Sequence, residues 1–267
     1  MSDEKANILI AIPTHTGQIE YKCVLSLLEL RENLIAAGIR YEIQFVAGSS
    51  LIGHVRNYFG NRVAFDHDKT GKDFTHLLFI DADVSGFEDF VVEMVQADKP
   101  IIAVPYALKY INWKNVALAA KKDVPPGELR RFIGDPVIHT DKEFPVYEIA
   151  RVNRVGTGML LIKREVLQAL AQAHPEWKYK ARPVDFHGNP VPDREFQYDF
   201  FRMGIDPKTL HYLPEDYAFC DSARELGYDT FVLPWVRTQH TGIFDYFIDI
   251  PALAALHADA VATETKS

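Results

Sequence analysis

Asp81 and Asp83 flank a single alanine directly after the apolar run Leu77-Leu78-Phe79-Ile80. Two carboxylates at positions i and i+2 behind a strand-like run place up to four hard oxygen acceptors at one edge, a donor set suited to Mg²⁺ or Mn²⁺. The same Asp-x-Asp would also serve as an ordinary turn or helix cap. A second acidic pair, Glu215-Asp216, opens a segment with helical character, Glu215-Asp216-Tyr217-Ala218-Phe219-Cys220. Carboxylates there either accept a proton from a reacting hydroxyl or simply complement the positive end of a helix. Asp216 is the first candidate for such a base and Glu215 the second. Arg56 falls on a helix face with Ile52 and Val55, where a guanidinium meets a phosphate or ribose oxygen bidentately or forms a surface ion pair. Thr14 and His15 follow the first apolar run and offer hydrogen bonds to a base or ribose. Gly156-Thr157-Gly158 either lets backbone approach a ligand closely or marks a bulge.

The elements needed to position these groups follow from periodicity. Residues 7–12 read as a buried strand ended by Pro13, and residues 20–37 as a helix with Val24, Leu27, Leu28, Leu34 and Ile35 at helical spacing and Gly38 as its stop. Residues 41–47 alternate like a strand, with Tyr41, Ile43 and Phe45 on one face. Gly48-Ser49-Ser50 opens a second helix whose buried side would carry Ile52, Val55, Phe59 and Val63. Residues 76–80 and 100–104 give two further strands, and Ser85 with Glu88 predicts a capping box for a helix between them. Both acids of the Asp-x-Asp therefore fall at a strand's C-terminal end, where ligands bind in open α/β sheets. Periodicity fades over residues 112–144, which read as an insertion or mobile connection. It returns as a strand over 155–162, a helix over 164–172, a helix over 215–226 closed by Gly227, and a last strand over 228–233. An Ala-rich peripheral helix over 251–262 and a frayed end complete the chain. The alternation predicts an α/β fold with a mostly parallel sheet flanked by helices.

Composition narrows the function classes. At 267 residues with 48% hydrophobic and 25% charged residues, the chain has the makings of one large α/β domain and no reason for wholesale disorder. A net charge of −8 argues against a protein that holds nucleic acid mainly by neutralising phosphates. Cys23 and Cys220 form no Cys-x-x-Cys pair and are expected to be buried free thiols. The start of the chain is polar, without the pattern of a signal peptide, and the apolar runs are strand-sized, so a cytoplasmic enzyme without a membrane span is the expectation. Tyr106, Trp113, Trp177, Phe186, Tyr198 and Trp235 offer faces for stacking on bases or sugars, but most of the aromatic residues must build core.

Leu77-Leu78-Phe79-Ile80-Asp81-Ala82-Asp83 resembles the metal-binding signature of glycosyltransferases with the GT-A fold. Ile10-Ala11-Ile12-Pro13-Thr14-His15 resembles that family's first strand and nucleotide-contacting loop, and Arg56-Asn57 its Arg-Asn dipeptide beside the donor. Gly156-Thr157-Gly158-Met159-Leu160-Leu161-Ile162 and Pro214-Glu215-Asp216 resemble segments on the sugar and acceptor side, and His240-Thr241-Gly242 the late histidine that completes metal coordination. The resemblance implies a single GT-A-like domain, with a nucleotide-binding half over residues 7–105, a variable insertion over 112–145 and a sugar and acceptor half over 146–250. It further implies Asp81, Asp83 and His240 on Mn²⁺ or Mg²⁺. Pro13, Thr14, His15, Arg56, Asp81, Gly156, Thr157 and Gly158 would contact a nucleotide-diphosphate sugar. Glycans, lipid-linked sugars, proteins and modified nucleobases all stay open as acceptors. Three other expectations compete. A haloacid-dehalogenase-type phosphohydrolase would use Asp81 as nucleophile, but its loop normally opens the fold. A sugar nucleotidylyltransferase needs a Gly-rich, Arg-bearing loop that Thr14-His15-Thr16-Gly17 lacks. A non-catalytic carbohydrate-binding protein has no need of these acids.

Overall fold

The computed structural model describes residues 6–180, 195–206, 209–242, 244 and 246–264. Phe186 and residues 265–267 lie outside the described residues. Seven strands form the central sheet: β1 (Asn7–Thr14), β2 (Arg40–Ala47), β3 (His76–Ile80), β4 (Ile101–Ala103), β5 (Ala150–Val152), β6 (Met159–Lys163) and β7 (Thr230–Val232). Their order is β2-β1-β3-β6-β4-β7-β5. β1 is parallel to β2 and β3, and β4 is parallel to β7; β6 is antiparallel to both β3 and β4, so those five strands share one direction. β5 runs antiparallel to β7 at the edge. The result is a mixed α/β arrangement with a mostly parallel sheet, as the alternation of elements in the sequence predicts.

The helices are α1 (Tyr21–Ala36), α2 (Ile52–Phe65), α3 (Val91–Gln96), α4 (Trp113–Lys121), α5 (Arg164–Ala173), α6 (Glu215–Glu225) and α7 (Ile250–Glu264). None is long and apolar enough to cross a membrane, among the described residues. They cover both faces of the sheet, which is why β1 and β3 read as unbroken apolar runs. Ile8, Ile10, Ile12, Leu78 and Ile80 join Cys23, Leu27, Leu30 and Leu34 of α1 in one core layer. Leu9, Ala11, Leu77 and Phe79 point the other way, into Val55, Phe59 and Val63 of α2, Val166, Leu167 and Leu170 of α5, and Phe219 of α6.

Several expectations are corrected here. No capping box forms at Ser85: Val84–Ser85 instead makes a three-stranded antiparallel sheet with Gln239–His240 and Tyr246–Phe247, and α3 begins later, without a side-chain cap. Gly86, at φ +84, turns the chain so tightly that a Cβ there would stand 2.8 Å from the Arg237 carbonyl oxygen. Val24, Leu28 and Ile35 face outward from α1, while Cys23, Ser26 and Leu30 face the core. Ile52, expected inside, is exposed at the first turn of α2. Residues 112–144 are organised rather than loose: α4, a 3₁₀ helix over Pro126–Phe132 and α7 bury Ala119, Phe132, Ile250, Leu253 and Leu256 together. The strand over 230–232 is not the last, since Gln239–His240 and Tyr246–Phe247 follow.

Candidate functional site

β3 delivers its last side chains to a turn fixed from three sides. The Asp81 N–H donates to the Gly158 carbonyl at 2.9 Å, the Val84 N–H returns to the Asp81 carbonyl at 3.1 Å, and the Glu20 N–H at the head of α1 donates to the Ala82 carbonyl at 2.9 Å. With its backbone so tied, Asp81-Ala82-Asp83 faces a cavity of about 480 Å³. Pro13, Thr14 and His15 from the end of β1, Arg56 from α2, Lys109 and His240 line the same space.

His240 lies 157 residues beyond Asp83 in the chain, and the small antiparallel sheet closes that distance. His240 pairs in register with Val84, and the Thr241 N–H donates to the Asp83 carbonyl at 2.8 Å. The imidazole Nδ1 lies 2.7 Å from the Ala107 carbonyl oxygen, which can only accept, so Nδ1 carries a proton. Nε2 then points at the Asp83 carboxylate, 3.2 Å away. A neutral ring would set a lone pair against lone pairs there, so the contact calls for a proton on Nε2 or a cation between the two groups. A histidine fixed by a backbone carbonyl through its other nitrogen is the usual setting of a metal-bound imidazole.

Charge shapes the rest of the site. Burial pushes Asp81 above the ordinary carboxylate range and Asp83 adds to this, with Arg56, 3.7 Å away, His240 and Lys109 opposing. Burial also pushes on Asp83, but hydrogen bonds from His240 and Lys109 outweigh it and hold that acid below the range. Arg56 is buried and donates to Glu215, itself buried at the first turn of α6. Glu215 thus serves as counterion to Arg56. Asp216, raised mainly by burial and further by Asp81 with Arg56 opposing, accepts from the Tyr217 N–H at 2.8 Å and is not among the residues that line the cavity.

Among the described residues, no three His, Cys, Asp or Glu side chains already form a compact metal cage. Asp83 is instead held by Lys109, and Asp81 by Arg56. Two carboxylates and one oriented imidazole nonetheless share one cavity wall, donors of the chemical type that a hard divalent ion takes.

Gly156, Thr157 and Gly158 underlie the site. A Cβ on Gly156 would come within 2.1 Å of the Tyr106 hydroxyl, and one on Gly158 within 2.6 Å of Tyr106 Cζ and 3.0 Å of an Asp81 oxygen. The glycines therefore admit the Tyr106 ring, whose hydroxyl accepts from the Gly158 N–H at 3.2 Å and whose ring meets His240 edge-on. Thr14 is buried and its hydroxyl donates to the Val46 carbonyl, so it braces β1 against β2. His15 is exposed, with Nδ1 3.2 Å from the Ser49 carbonyl oxygen. Lys109, Gln18 and Glu20 also line the cavity and were not singled out from sequence. For Lys109 a signal existed, since it follows the C-terminal end of β4, the edge where such sheets bind ligands.

No protein-family model and no curated protein matches the chain. Among solved structures, the crystal structure of A197 from STIV is similar over 88% of this chain and 86% of that one, at 17% identity and a TM-score of 0.45.

Proposed function

We propose that the protein is a metal-dependent glycosyltransferase acting on a nucleotide-diphosphate sugar. The observation that carries the reading is the convergence of Asp81, Asp83 and a tautomer-fixed His240 with Arg56 and Lys109 on one cavity at the C-terminal edge of the sheet. Asp81, Asp83 and Nε2 of His240 would hold Mn²⁺ or Mg²⁺, and such an ion supplies charge neutralisation for a departing diphosphate. Arg56 and Lys109 bind phosphate oxygens, the former on a rigid helix and braced by Glu215. Pro13 near the end of β1 and His15 just beyond it take the nucleoside, while Gly156-Thr157-Gly158 sits behind the Tyr106 ring and acts by seating it rather than by touching the donor. In a direct displacement the acceptor oxygen bonds to the anomeric carbon as the bond to the diphosphate breaks. Asp216 takes the hydroxyl proton, a task suited to an acid whose affinity for protons is raised by burial.

The test is thermal shift and donor turnover against a panel of nucleotide sugars, with and without Mn²⁺, on the wild type and Asp83→Ala. Stabilisation by a nucleoside diphosphate that requires Mn²⁺ and vanishes in a folded Asp83→Ala protein is the expected result. Full Mn²⁺-dependent turnover in that variant would overturn the assignment. A covalent phosphate on Asp81 would transfer it to the phosphohydrolase reading.

A further inference from the structure

α1 carries a second apolar face that nothing among the described residues covers. At roughly 100° per residue, its core positions Cys23, Ser26, Leu27, Leu30 and Leu34 centre on one side of the helix. Tyr21, Val24, Leu25, Leu28 and Ile35 centre on the opposite side, and Tyr21, Leu25, Leu28 and Ile35 are 66%, 54%, 54% and 52% exposed. A surface helix ordinarily presents charge along that whole face, so an apolar stripe interrupted only by the exposed Glu32, which pairs with Arg31, points to a partner.

The charges beside the stripe indicate which partner. Lys22 and Glu29 fall on one flank, and Glu20 and Arg31 on the other. When two helices pair antiparallel about a two-fold axis, each flank meets the same flank of its mate in reversed order. The midpoint of Lys22 and Glu29 lies between Leu25 and Ser26, and so does the midpoint of Glu20 and Arg31. One axis therefore sets Lys22 against Glu29 and Glu20 against Arg31 at once, four opposite-charge contacts in all, while Tyr21 fits between Leu28 and Glu32 of the mate. A lipid surface fits poorly, because interfacial helices are rich in Lys and Arg while Glu20, Glu29 and Glu32 outnumber Lys22 and Arg31 here.

We propose that this face is the interface of a homodimer, formed by antiparallel α1 helices from two copies of this chain. A single helix pair buries less than the ~1,200–2,000 Å² of a standard interface, so the dimer is weak, with a dissociation constant on the order of micromolar.

Sedimentation velocity on the full chain tests the proposal. The wild type is expected to approach twice its 30.4 kDa as its concentration rises toward about 100 µM. The exposed-site double variant Leu25→Asp/Leu28→Asp is expected to stay monomeric with unchanged circular dichroism. Lys22→Glu or Glu29→Lys alone should weaken association at least about tenfold, and the double swap Lys22→Glu/Glu29→Lys should restore it. A wild type that is monomeric throughout, or a dimer indifferent to the Leu25 and Leu28 changes, overturns the proposal. So does a double swap no tighter than its single variants, or α1-dependent binding to lipid vesicles by a protein that never dimerises.

Discussion

Replacing Arg56 with methionine isolates the electrostatics that hold the candidate site together. The guanidinium is buried between Glu215, which it hydrogen-bonds, and Asp81, 3.7 Å away. At an effective dielectric constant near 20, a charge pair at that distance interacts by about 4 kcal/mol. Asp81 retains some solvent contact through the cavity, which screens its share. Methionine keeps the packing volume and strands two carboxylates, a change that typically costs about 3–5 kcal/mol when a buried pair loses one partner. The cost depends on pH. Without Arg56, Glu215 and Asp81 bind protons more tightly in the native state than in the unfolded chain, so the variant gains stability relative to wild type as pH falls. Urea unfolding in metal-free buffer at pH 8 and pH 5.5 reads this directly, and Arg56→Met/Glu215→Gln should recover a large part of the loss at pH 8. A single-variant loss below about 1 kcal/mol at pH 8, or one independent of pH and of the Glu215 change, would refute the reasoning.

Other perturbations separate binding from chemistry and packing. Asp216→Asn should leave Mn²⁺-dependent donor binding intact by calorimetry and lower turnover by about 10²–10⁴-fold; near-normal turnover would remove Asp216 as the base. Gly156→Ala should destabilise by about 1–3 kcal/mol through its clash with the Tyr106 hydroxyl, and Tyr106→Phe in the same chain should return part of that in a thermal melt. His76, at the start of β3, is pushed down to about 4 by burial and by Lys163, against an opposing pull from Asp98. The unfolded chain therefore takes up a proton that the native state refuses. Stability should fall between about pH 6.5 and 4 by up to ~3 kcal/mol, a slope that His76→Asn should flatten in urea titrations.

β1 and β3 were legible because strands buried on both faces spell unbroken apolar runs, and α6 because Gly227 marks its end with φ +88. What sequence could not supply is pairing between distant segments. Ser85 and Glu88 look like a capping box locally, yet Ser85 is opposed by Gln239, and no local rule anticipates a partner so far along the chain. β5, at three residues, is too short to show alternation, and β6 does not announce its reversed direction. On α1 the 3.6-residue period fits two faces equally, so Val24, Leu28 and Ile35 could not be told from core. The segment 112–144 lost its period because its short elements pack on α7 instead of the sheet.

Of the residues singled out from sequence, Pro13, Thr14, His15, Arg56, Asp81, Asp83 and His240 line one cavity, while Glu215, Asp216 and Gly156 to Gly158 do not, and the charge gathered there bears on the proposed mechanism. Asp81, Asp83, Glu215 and Asp216 contribute four carboxyls, against two permanent cations in Arg56 and Lys109. Counted over these six groups with every acid ionised, the cluster carries two uncompensated negative charges, one of which a proton on Nε2 of His240 would offset. Burial is the main cause of the upward push on Asp81 and Asp216, opposed by Arg56, and the neighbouring carboxylates add to it. A diphosphate entering such a cavity alone would meet repulsion from both acids of the Asp-x-Asp. A divalent ion is opposite in sign to that deficit, and by drawing Asp83 away from Lys109 it would turn that ammonium toward the incoming phosphates. Cation and donor are therefore thermodynamically coupled in the proposed function: each lowers the electrostatic cost of binding the other, and neither is expected to bind well alone.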